Sequence, residues 1–292
     1  ELLPLRAGAA RALPEAGGAW TGRPVELRLE GGEAVFFVLD FGQNILASPE
    51  LTARGPDGIL VDLGYSECLL NNRVPTRWQG LRQSERIVLR EGSTRHRINQ
   101  PRGFRYMMLR VANPGASSAR VVIEEVSAHE AIYPTVQRGS FRSSDPLLER
   151  IFRLSARTVN LCMEDAYTDC PWRERSQWLG DLQPEALFSY YAFGAYDLAR
   201  KAVLEFAHGN TEEGWLPGVC PTRRPSNLPT WGMRFPVIGW EYYLFTGDRD
   251  ALPDVYDSVR RQMTQSGRWP PHRLDNPSAG DQREAEKLIR GI

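Results

Sequence analysis

Residues 167–183 concentrate side chains that can move protons and bind polar ligands. The segment combines carboxylates, guanidinium groups and indoles: Asp169, Glu174, Asp181, Arg173, Arg175, Trp172 and Trp178. No apolar period of 2 or 3.6 residues runs through it, so the pattern predicts an irregular loop. Pro171 cannot continue a helix and biases Cys170 toward an extended backbone.

This composition suits a carbohydrate site. Carboxylates can hydrogen-bond to sugar hydroxyls and transfer protons, and indole faces can stack on the apolar face of a pyranose ring. The arginines would hold the acids in place and influence their pKa values. The alternative is a surface loop of ion pairs with two half-buried tryptophans, because structural ion pairs also bring acidic and basic residues together.

The order of residues in the loop resembles a known family signature. Asp169-Cys-Pro-Trp-Arg-Glu174-Arg, followed by Trp178-Leu-Gly-Asp181, is similar to the signature of bacterial α-L-rhamnosidases, the six-hairpin glycosidases of glycoside hydrolase family 78. Three short runs occur in the same order as in that family, namely 40–44 (Asp-Phe-Gly-Gln-Asn), 103–106 (Gly-Phe-Arg-Tyr) and 139–141 (Gly-Ser-Phe). The resemblance therefore extends over roughly residues 25–265.

The resemblance implies inverting hydrolysis of terminal α-L-rhamnosides, which needs a general acid and a separate general base. Glu174 occupies the position of the acid; its alternative is an ion pair with Arg173 or Arg175. Asp169 and Asp181 match acids that bind rhamnose hydroxyls, although Asp181 could equally cap the second helix.

Three further residues match the same pocket. Arg173 matches a position that lines it, with a structural ion pair to Asp169 as the alternative. Trp178 is expected as a sugar platform, or else as an ordinary buried tryptophan, and Trp231 matches a family tryptophan near the sugar.

Two departures from the family pattern bear on activity. The family's general base is a second glutamate on a much later hairpin, and this chain ends before that hairpin; Glu241 matches no base position. Relatives usually carry an aspartate shortly after the tryptophan equivalent to Trp231, where this chain has Gly232-Met233-Arg234. We therefore expect the chain to lack the general base. The sequence leaves open whether rhamnose is the sugar it recognises.

Composition excludes several function classes. The 292 residues carry 36 basic and 36 acidic side chains, which gives no support for a nucleic acid or anionic membrane partner. The four cysteines form no Cys-x-x-Cys pair and the four histidines are far apart, so we expect no disulfide framework, no metal and no cofactor. The expected partner is a rhamnoside, and the oligomeric state is undetermined.

The N-terminus carries no targeting pattern. The sequence begins at Glu1, without a charged segment followed by an apolar one. We expect either that a segment has been removed or that this is a piece of a longer protein. The compartment is undetermined, with the cytoplasm slightly favoured over secretion.

The first half predicts an antiparallel β-sandwich over residues 25–138, after a lead-in of Gly, Ala, Arg and Pro over 1–24. Six runs rich in β-branched and aromatic residues carry this prediction: 25–30, 34–40, 59–65, 85–90, 104–111 and 119–126. Residues 69–83 show no period and predict a long loop.

The second half predicts helices. Ser144-Asp145-Pro146 indicates a first helix capped by Ser144, and four more are expected from near Asp181 to Gly194, over 196–208, from near Pro236 to Thr246, and over 251–263. The resemblance implies that residues 139–265 form the first hairpins of an incomplete (α/α)6 barrel. Apolar helix faces would then lack partners. The tail 266–292 matches no family pattern, as expected from a truncated gene, a frameshift or an assembly break.

Two other functions compete with an incomplete α-L-rhamnosidase. One is a related six-hairpin hydrolase for another sugar, which Gly232-Met233-Arg234 would permit. The other is a non-catalytic protein whose sandwich and loop bind glycan without cleaving it.

Overall fold

A computed structural model describes residues 10–12, 24–78, 80–212, 214–223 and 228–265. The chain divides into two compact units, Glu1–Ala131 with Pro171–Arg173, and Ile132–Cys170 with Glu174–Ile292. Most of the predicted lead-in and the whole predicted tail 266–292 lie outside the described residues. None of the described helices is long and apolar enough to cross a membrane.

The first unit is built of antiparallel strands. Eight of the ten strands in the described part share one sheet, in which β1 alone pairs parallel, and two form a separate hairpin. The strands are β1 (Ala10–Ala12), β2 (Val25–Leu29), β3 (Ala34–Gly55), β4 (Leu60–Ser66), β5 (Arg77–Trp78), β6 (Leu81–Arg82), β7 (Ser84–Val88), β8 (Gly92–Arg97), β9 (Arg102–Ala112) and β10 (Ala119–Glu130).

Strand β3 organises this sheet. Its first part pairs with β9 and its second part with β10 and β8, and the pairing with β9 shifts between Asp40 and Ile45. Gly42 makes the irregularity possible, since its φ of +79° lies in the left-handed region that glycine tolerates and its N–H donates to Asp40 Oδ1 at 2.8 Å. The predicted strand over 34–40 is therefore too short, because the bulge hides its continuation to Gly55.

One hydrophobic core unites the two parts of the sheet. It takes side chains from β2, β3, β4, β7, β9 and β10. Leu51, Tyr65 and Phe104 are fully buried in it, and the rings of Tyr65 and Phe104 lie 5.1 Å apart. The two strand groups thus pack over a shared core, which confirms the predicted antiparallel β-sandwich.

The predicted loop over 69–83 contains a small element. Strands β5 and β6 pair in a two-stranded hairpin within it. Before the hairpin, Asn71 and Asn72 both adopt positive φ, at 49° and 58°, in the turn between Leu70 and Arg73. Asparagine is among the residues that tolerate this backbone region, which explains the tight turn.

The second unit is helical. Its described helices are α1 (Pro146–Leu161), α2 (Leu179–Ala192), α3 (Tyr196–His208), α4 (Pro229–Gly232), α5 (Phe235–Thr246) and α6 (Leu252–Gln265). Five of them correspond to the predicted helices, and the four-residue α4 was missed because it is too short to show a period.

The start of α1 corrects one prediction. Asp145, and not Ser144, is the cap: its backbone is extended and its carboxylate accepts the Leu147 N–H at 2.8 Å. Pro146 follows as the first helical residue, where its missing N–H costs no intrahelical bond.

The helices share a single core and leave part of their apolar surface outside it. Leu182, Phe206 and Phe235 are buried at its centre. Apolar side chains of α1 and α5 are nevertheless exposed in the described part, namely Leu147, Leu148, Ile151, Leu154, Val237, Trp240 and Leu244. These are the unpartnered helix faces that the sequence predicts.

A buried ion pair joins three neighbouring strands of the first unit. Asp62 on β4 is fully buried and lies directly opposite Arg86 on β7 and Arg110 on β9. Its two oxygens accept Arg86 Nε at 2.6 Å and Arg110 Nη1 at 2.7 Å. Removing this carboxylate would leave Arg110 buried without its charge partner.

We expect Asp62→Asn to lower the free energy of unfolding of the chain by about 3 kcal/mol, because an unpaired buried charge is costly. Urea unfolding of the two proteins measures the change. The matched control is Glu26→Gln, which breaks an exposed ion pair with Arg120 on the same sheet and should have a far smaller effect. Equal effects of the two substitutions would contradict this account.

Candidate carbohydrate site

The signature loop begins at a buried anchor. Tyr167 is 1% exposed and its hydroxyl lies 2.6 Å from the Ser189 hydroxyl on α2. The Thr168 N–H donates to the Cys162 carbonyl at the end of α1, at 2.8 Å. The loop therefore leaves α1 in a fixed direction, tied to both helices that flank it.

Asp169 closes the middle of the loop. Its N–H donates to the Ser176 carbonyl at 3.1 Å, and its Oδ1 accepts the Ser176 N–H at 3.0 Å. The Cys170 thiol donates to the other carboxylate oxygen at 3.2 Å. These bonds make residues 169–176 a closed excursion with the Asp169 carboxylate at its base.

Arg175 is bound by Glu164, a carboxylate of the same unit that does not belong to the signature. It has a φ of +50°, and its guanidinium donates to both oxygens of Glu164, at 3.1 and 2.5 Å. This bidentate pair is largely shielded from water, with both side chains less than 20% exposed. The pair fixes the backbone on the side of the loop next to Glu174.

The end of the loop is paired with the segment that follows α3. Trp178 forms a bridge with Val219, and the Leu179 N–H donates to the Gly218 carbonyl at 2.8 Å. The buried Gln177 amide donates to the Cys220 carbonyl at 2.7 Å and to Glu205 Oε2 at 2.9 Å. The first turn of α2 is positioned by these bonds.

Glu174 and the two tryptophans form the open side of the site. The Trp178 indole N–H donates to Glu174 Oε2 at 3.0 Å, and Glu174 is exposed. The Trp231 ring meets Trp178 edge-on with centroids 5.1 Å apart. Trp231 also lies against Gly180, where a Cβ atom would be only 2.6 Å from the indole. This contact explains the glycine of the Trp-Leu-Gly-Asp run.

Asp181 lies in the first turn of α2 and does not cap it. The capping position is Trp178, which makes no side-chain capping bond, so the alternative role predicted for Asp181 is wrong. Burial is the main cause that raises the pKa of Asp181, and the charges of Asp169 and Glu174 raise it further, whereas Arg234 lowers it. The three signature acids thus share one electrostatic neighbourhood.

Sequence reasoning missed a fourth acid in this neighbourhood. Glu185 follows Asp181 by one helical turn on α2, so both side chains project from the same face. Burial raises its pKa to about 9, with further contributions from the charges of Asp181 and Asp169. The i, i+4 spacing of two acids on a predicted helix was the signal available in the sequence.

Arg234 and Gln183 also escaped the sequence analysis as site residues. Arg234 Nη1 donates to Gln183 Oε1 at 3.3 Å, and Gln183 Nε2 donates to Glu241 Oε1 at 3.4 Å. Arg234 lies in the run 232–234, and its positive charge acts on Asp181.

Arg173 differs from the other predicted residues. It is exposed and belongs to the segment Pro171–Arg173, which is part of the first unit. Within that unit the Gln83 amide donates to the Trp172 carbonyl at 3.2 Å, and a Cβ on Gly103 would lie 2.3 Å from the Pro171 carbonyl. Gly103, from the short run at 103–106, accommodates this close backbone approach.

The arrangement can bind and protonate a polar ligand. Carboxylates of Asp169 and Asp181 offer hydrogen-bond acceptors, and two indoles provide an apolar corner. The Trp178 N–H donates to one oxygen of the exposed Glu174 carboxyl, and a carboxyl is a group that can transfer protons. No group of three or more His, Cys, Asp or Glu side chains within the described ranges could hold a metal ion.

Comparison with protein families agrees with this geometry. Residues 136–282 match the bacterial alpha-L-rhamnosidase 6 hairpin glycosidase domain. Residues 32–129 match the bacterial alpha-L-rhamnosidase concanavalin-like domain. The chain belongs to the bacterial α-L-rhamnosidase family. Its helical unit is accordingly the opening part of a six-hairpin domain, as the signature predicts.

Named relatives support the assignment. An alpha-L-rhamnosidase of Formosa agariphila is 24% identical over 87% of this chain, and one of Streptomyces avermitilis is 25% identical over 76%. The crystal structure of a GH78 family rhamnosidase of Bacillus sp. GL1 covers 83% of the chain with 27% identity and a TM-score of 0.77. A rhamnosidase from Klebsiella oxytoca with rhamnose bound shares the fold, with a TM-score of 0.67 over 82% of the chain at 20% identity.

This rhamnosidase-family chain is shorter than the relatives it matches. It spans 30% of the Formosa agariphila protein, 22% of the Streptomyces avermitilis protein and 25% of the Bacillus chain. It spans 49% of the Klebsiella chain. The site described above thus corresponds to part of a family member.

We expect Gly180→Ala to lower the free energy of unfolding by about 1–3 kcal/mol, because the new methyl group overlaps the Trp231 indole. Alanine alone would favour the helix by up to about 1 kcal/mol. Urea unfolding in a Trp231→Ala background provides the control, since the same substitution should there be neutral or stabilising. The same loss in both backgrounds would show that the contact is not the cause.

We expect Glu185→Gln to gain stability over the parent chain as the pH rises. The folded chain holds the Glu185 proton up to a pKa of about 9, whereas the unfolded chain releases it near 4.5, so raising the pH between these values favours unfolding of the parent only. The difference should vanish near pH 4 and reach roughly 5 kcal/mol by pH 8, at about 1.4 kcal/mol for each pH unit above the unfolded pKa.

Thermal unfolding from pH 4 to pH 9 measures this difference. Asp197→Asn is the control, because it removes an exposed carboxyl in the first turn of α3. Its difference from the parent should not follow the rise expected for Glu185→Gln. A constant difference for Glu185→Gln as well would show that Glu185 is ionised in the folded chain.

Proposed function

We propose that the protein to which this chain belongs hydrolyses terminal, non-reducing α-L-rhamnosides with inversion at the anomeric carbon. The observation that carries the proposal is the meeting of Asp169, Glu174 and Asp181 in one electrostatic neighbourhood beside the Trp178–Trp231 corner. The three acids and Trp178 belong to the signature run, and Trp231 matches a family tryptophan outside it. Membership of the family supports the same substrate class.

Glu174 is assigned as the general acid. Its carboxyl is exposed on the open side of the loop, where a leaving-group oxygen can reach it. The Trp178 N–H donates to Glu174 Oε2 at 3.0 Å and so orients the carboxyl.

Asp169 and Asp181 are assigned to the sugar hydroxyls. Asp169 is oriented by the Ser176 N–H, and Asp181 lies at the N-terminal end of α2, where the helix dipole favours a negative charge. Charged acceptors of this kind make strong hydrogen bonds to hydroxyl donors. Trp178 and Trp231 supply the apolar contact for the ring and its methyl group.

The general base is assigned to a part of the family barrel that this chain does not contain. Glu185 is unsuited to the task, because a carboxyl with a pKa of about 9 keeps its proton at neutral pH. Glu241 accepts a hydrogen bond from Gln183 and matches no base position of the family. An inverting reaction without its base cannot activate water.

In the isolated chain we expect L-rhamnose to bind without release of nitrophenol from p-nitrophenyl α-L-rhamnoside. Titration calorimetry measures binding, and absorbance measures release beside other p-nitrophenyl glycosides. Asp181→Asn should weaken binding about tenfold or more, since a charged acceptor is lost. Release that disappears in Glu174→Gln would show that the chain contains a base.

The same experiments separate the alternatives. Preference for another glycoside would favour a six-hairpin hydrolase of different specificity, to which Arg234 contributes a cation near the sugar acids. In a longer form that carries the remaining hairpins, proton NMR of the first sugar released should show the inverted anomer. Glycan binding without turnover in that longer form would favour a carbohydrate-binding protein.

A further inference from the structure

Glu185 has an unusual place for a carboxyl group. It lies in the second turn of α2, one turn beyond Asp181 and on the same helix face. Its Oε2 is buried without a hydrogen-bond partner. The side chain is thus partly buried and lies on the same helix face as Asp181.

The groups that act on Glu185 come from its own helix, from the signature loop and from the end of α1. Asp181 on its own helix and Asp169 on the signature loop both act on it as negative charges, and Cys162 at the end of α1 hydrogen-bonds to it. Tyr167 at the start of the loop also feels its charge. None of these groups is a cation, and the Cys162 hydrogen bond, which favours the ionised form, is outweighed by burial and by the two negative charges.

We propose that Glu185 is a positioning residue of the sugar site: its neutral carboxyl backs Asp169 and Asp181, and only while it stays neutral can both of these bind sugar as carboxylates. The proposal rests on the proposed function, because it concerns the acids of that same site. It adds a residue that the signature does not contain.

The helix explains which acid keeps the proton. Asp181 lies in the first turn of α2, where unpaired N–H groups and the helix dipole stabilise a negative charge, and Arg234 also favours its ionised form. Glu185 lies one turn deeper, where the N–H groups are used within the helix and burial is greater. Its raised pKa of about 9 agrees with this division.

Ionisation of Glu185 would place a third negative charge against two carboxylates. Asp169 and Asp181 would then either take up a proton or move apart, and in both cases they would lose acceptor strength toward sugar hydroxyls. We therefore expect sugar binding to weaken at alkaline pH. Glu185→Gln should remove this effect, because an amide does not ionise.

Titration of L-rhamnose into the full chain between pH 6 and pH 10 tests the proposal. The parent should lose about tenfold or more in affinity between pH 7 and pH 10, whereas Glu185→Gln should change by less than about threefold. Glu185→Ala should weaken binding about tenfold already at pH 6, and the conservative Glu185→Gln should restore it. Asp197→Asn is the control and should follow the parent at every pH.

A ligand-free measurement keeps the proposal separate from the proposed function. In carbon-13 NMR of labelled chain, the Glu185 carboxyl carbon should titrate near pH 9, and the Asp169 and Asp181 carboxyl carbons should show a second inflection there. That inflection should be absent in Glu185→Gln. If L-rhamnose binds at no pH, the proposed function fails and this titration alone decides the role of Glu185.

Two results would overturn the proposal. One is an alkaline loss of affinity in Glu185→Gln equal to that of the parent. The other is titration of the Glu185 carboxyl below about pH 6, which would place a third charge in the site under the conditions where it binds.

Discussion

Like charges brought together away from water raise the free energy of a folded chain, and this constraint governs the helical unit. Asp169, Asp181 and Glu185 lie close enough for each aspartate to act on the glutamate. The folded chain meets the constraint by leaving a proton on Glu185 and by placing Asp181 at a helix N-terminus. The proposed sugar site is thus paired with a neighbouring carboxyl that holds a proton.

The signature loop, which carries Asp169 and Glu174, is held at both ends. Tyr167 and Thr168 tie its beginning to α1 and α2, and Gln177 ties its end to the segment after α3. Between them, Arg175 Nε and Nη2 donate to the two oxygens of Glu164. Orientation of carboxylates by fixed partners is what catalysis and binding require of such a loop.

The remaining surface of the helical unit has a different character. Helices α1 and α5 expose several large apolar side chains, although their other faces are buried in the shared core. A helix in a two-layered helical domain commonly has contacts on more than one face, and exposed apolar area of this kind marks a surface suited to further packing. The chain spans between 22% and 30% of the curated relatives described above.

The sequence by itself determined the class of each half and the identity of the signature acids. Alternation predicts the sandwich and helical spacing predicts five helices, because both periods depend only on local geometry. The run from Asp169 to Asp181 identifies the family because its residue order and spacing are specific. Hydrophobic periodicity is too weak to predict short elements such as α4 or the continuation of β3 past Gly42.

Only the tertiary structure decided which groups act on each other. Asp145 replaced Ser144 as a cap, Trp178 replaced Asp181, and Glu185 and Arg234 joined the acids although neither belongs to the signature. Burial, hydrogen-bond partners and the distance between charges depend on residues far apart in the chain. These quantities set the pKa of a carboxyl, so the protonation of the site could not be predicted from spacing alone.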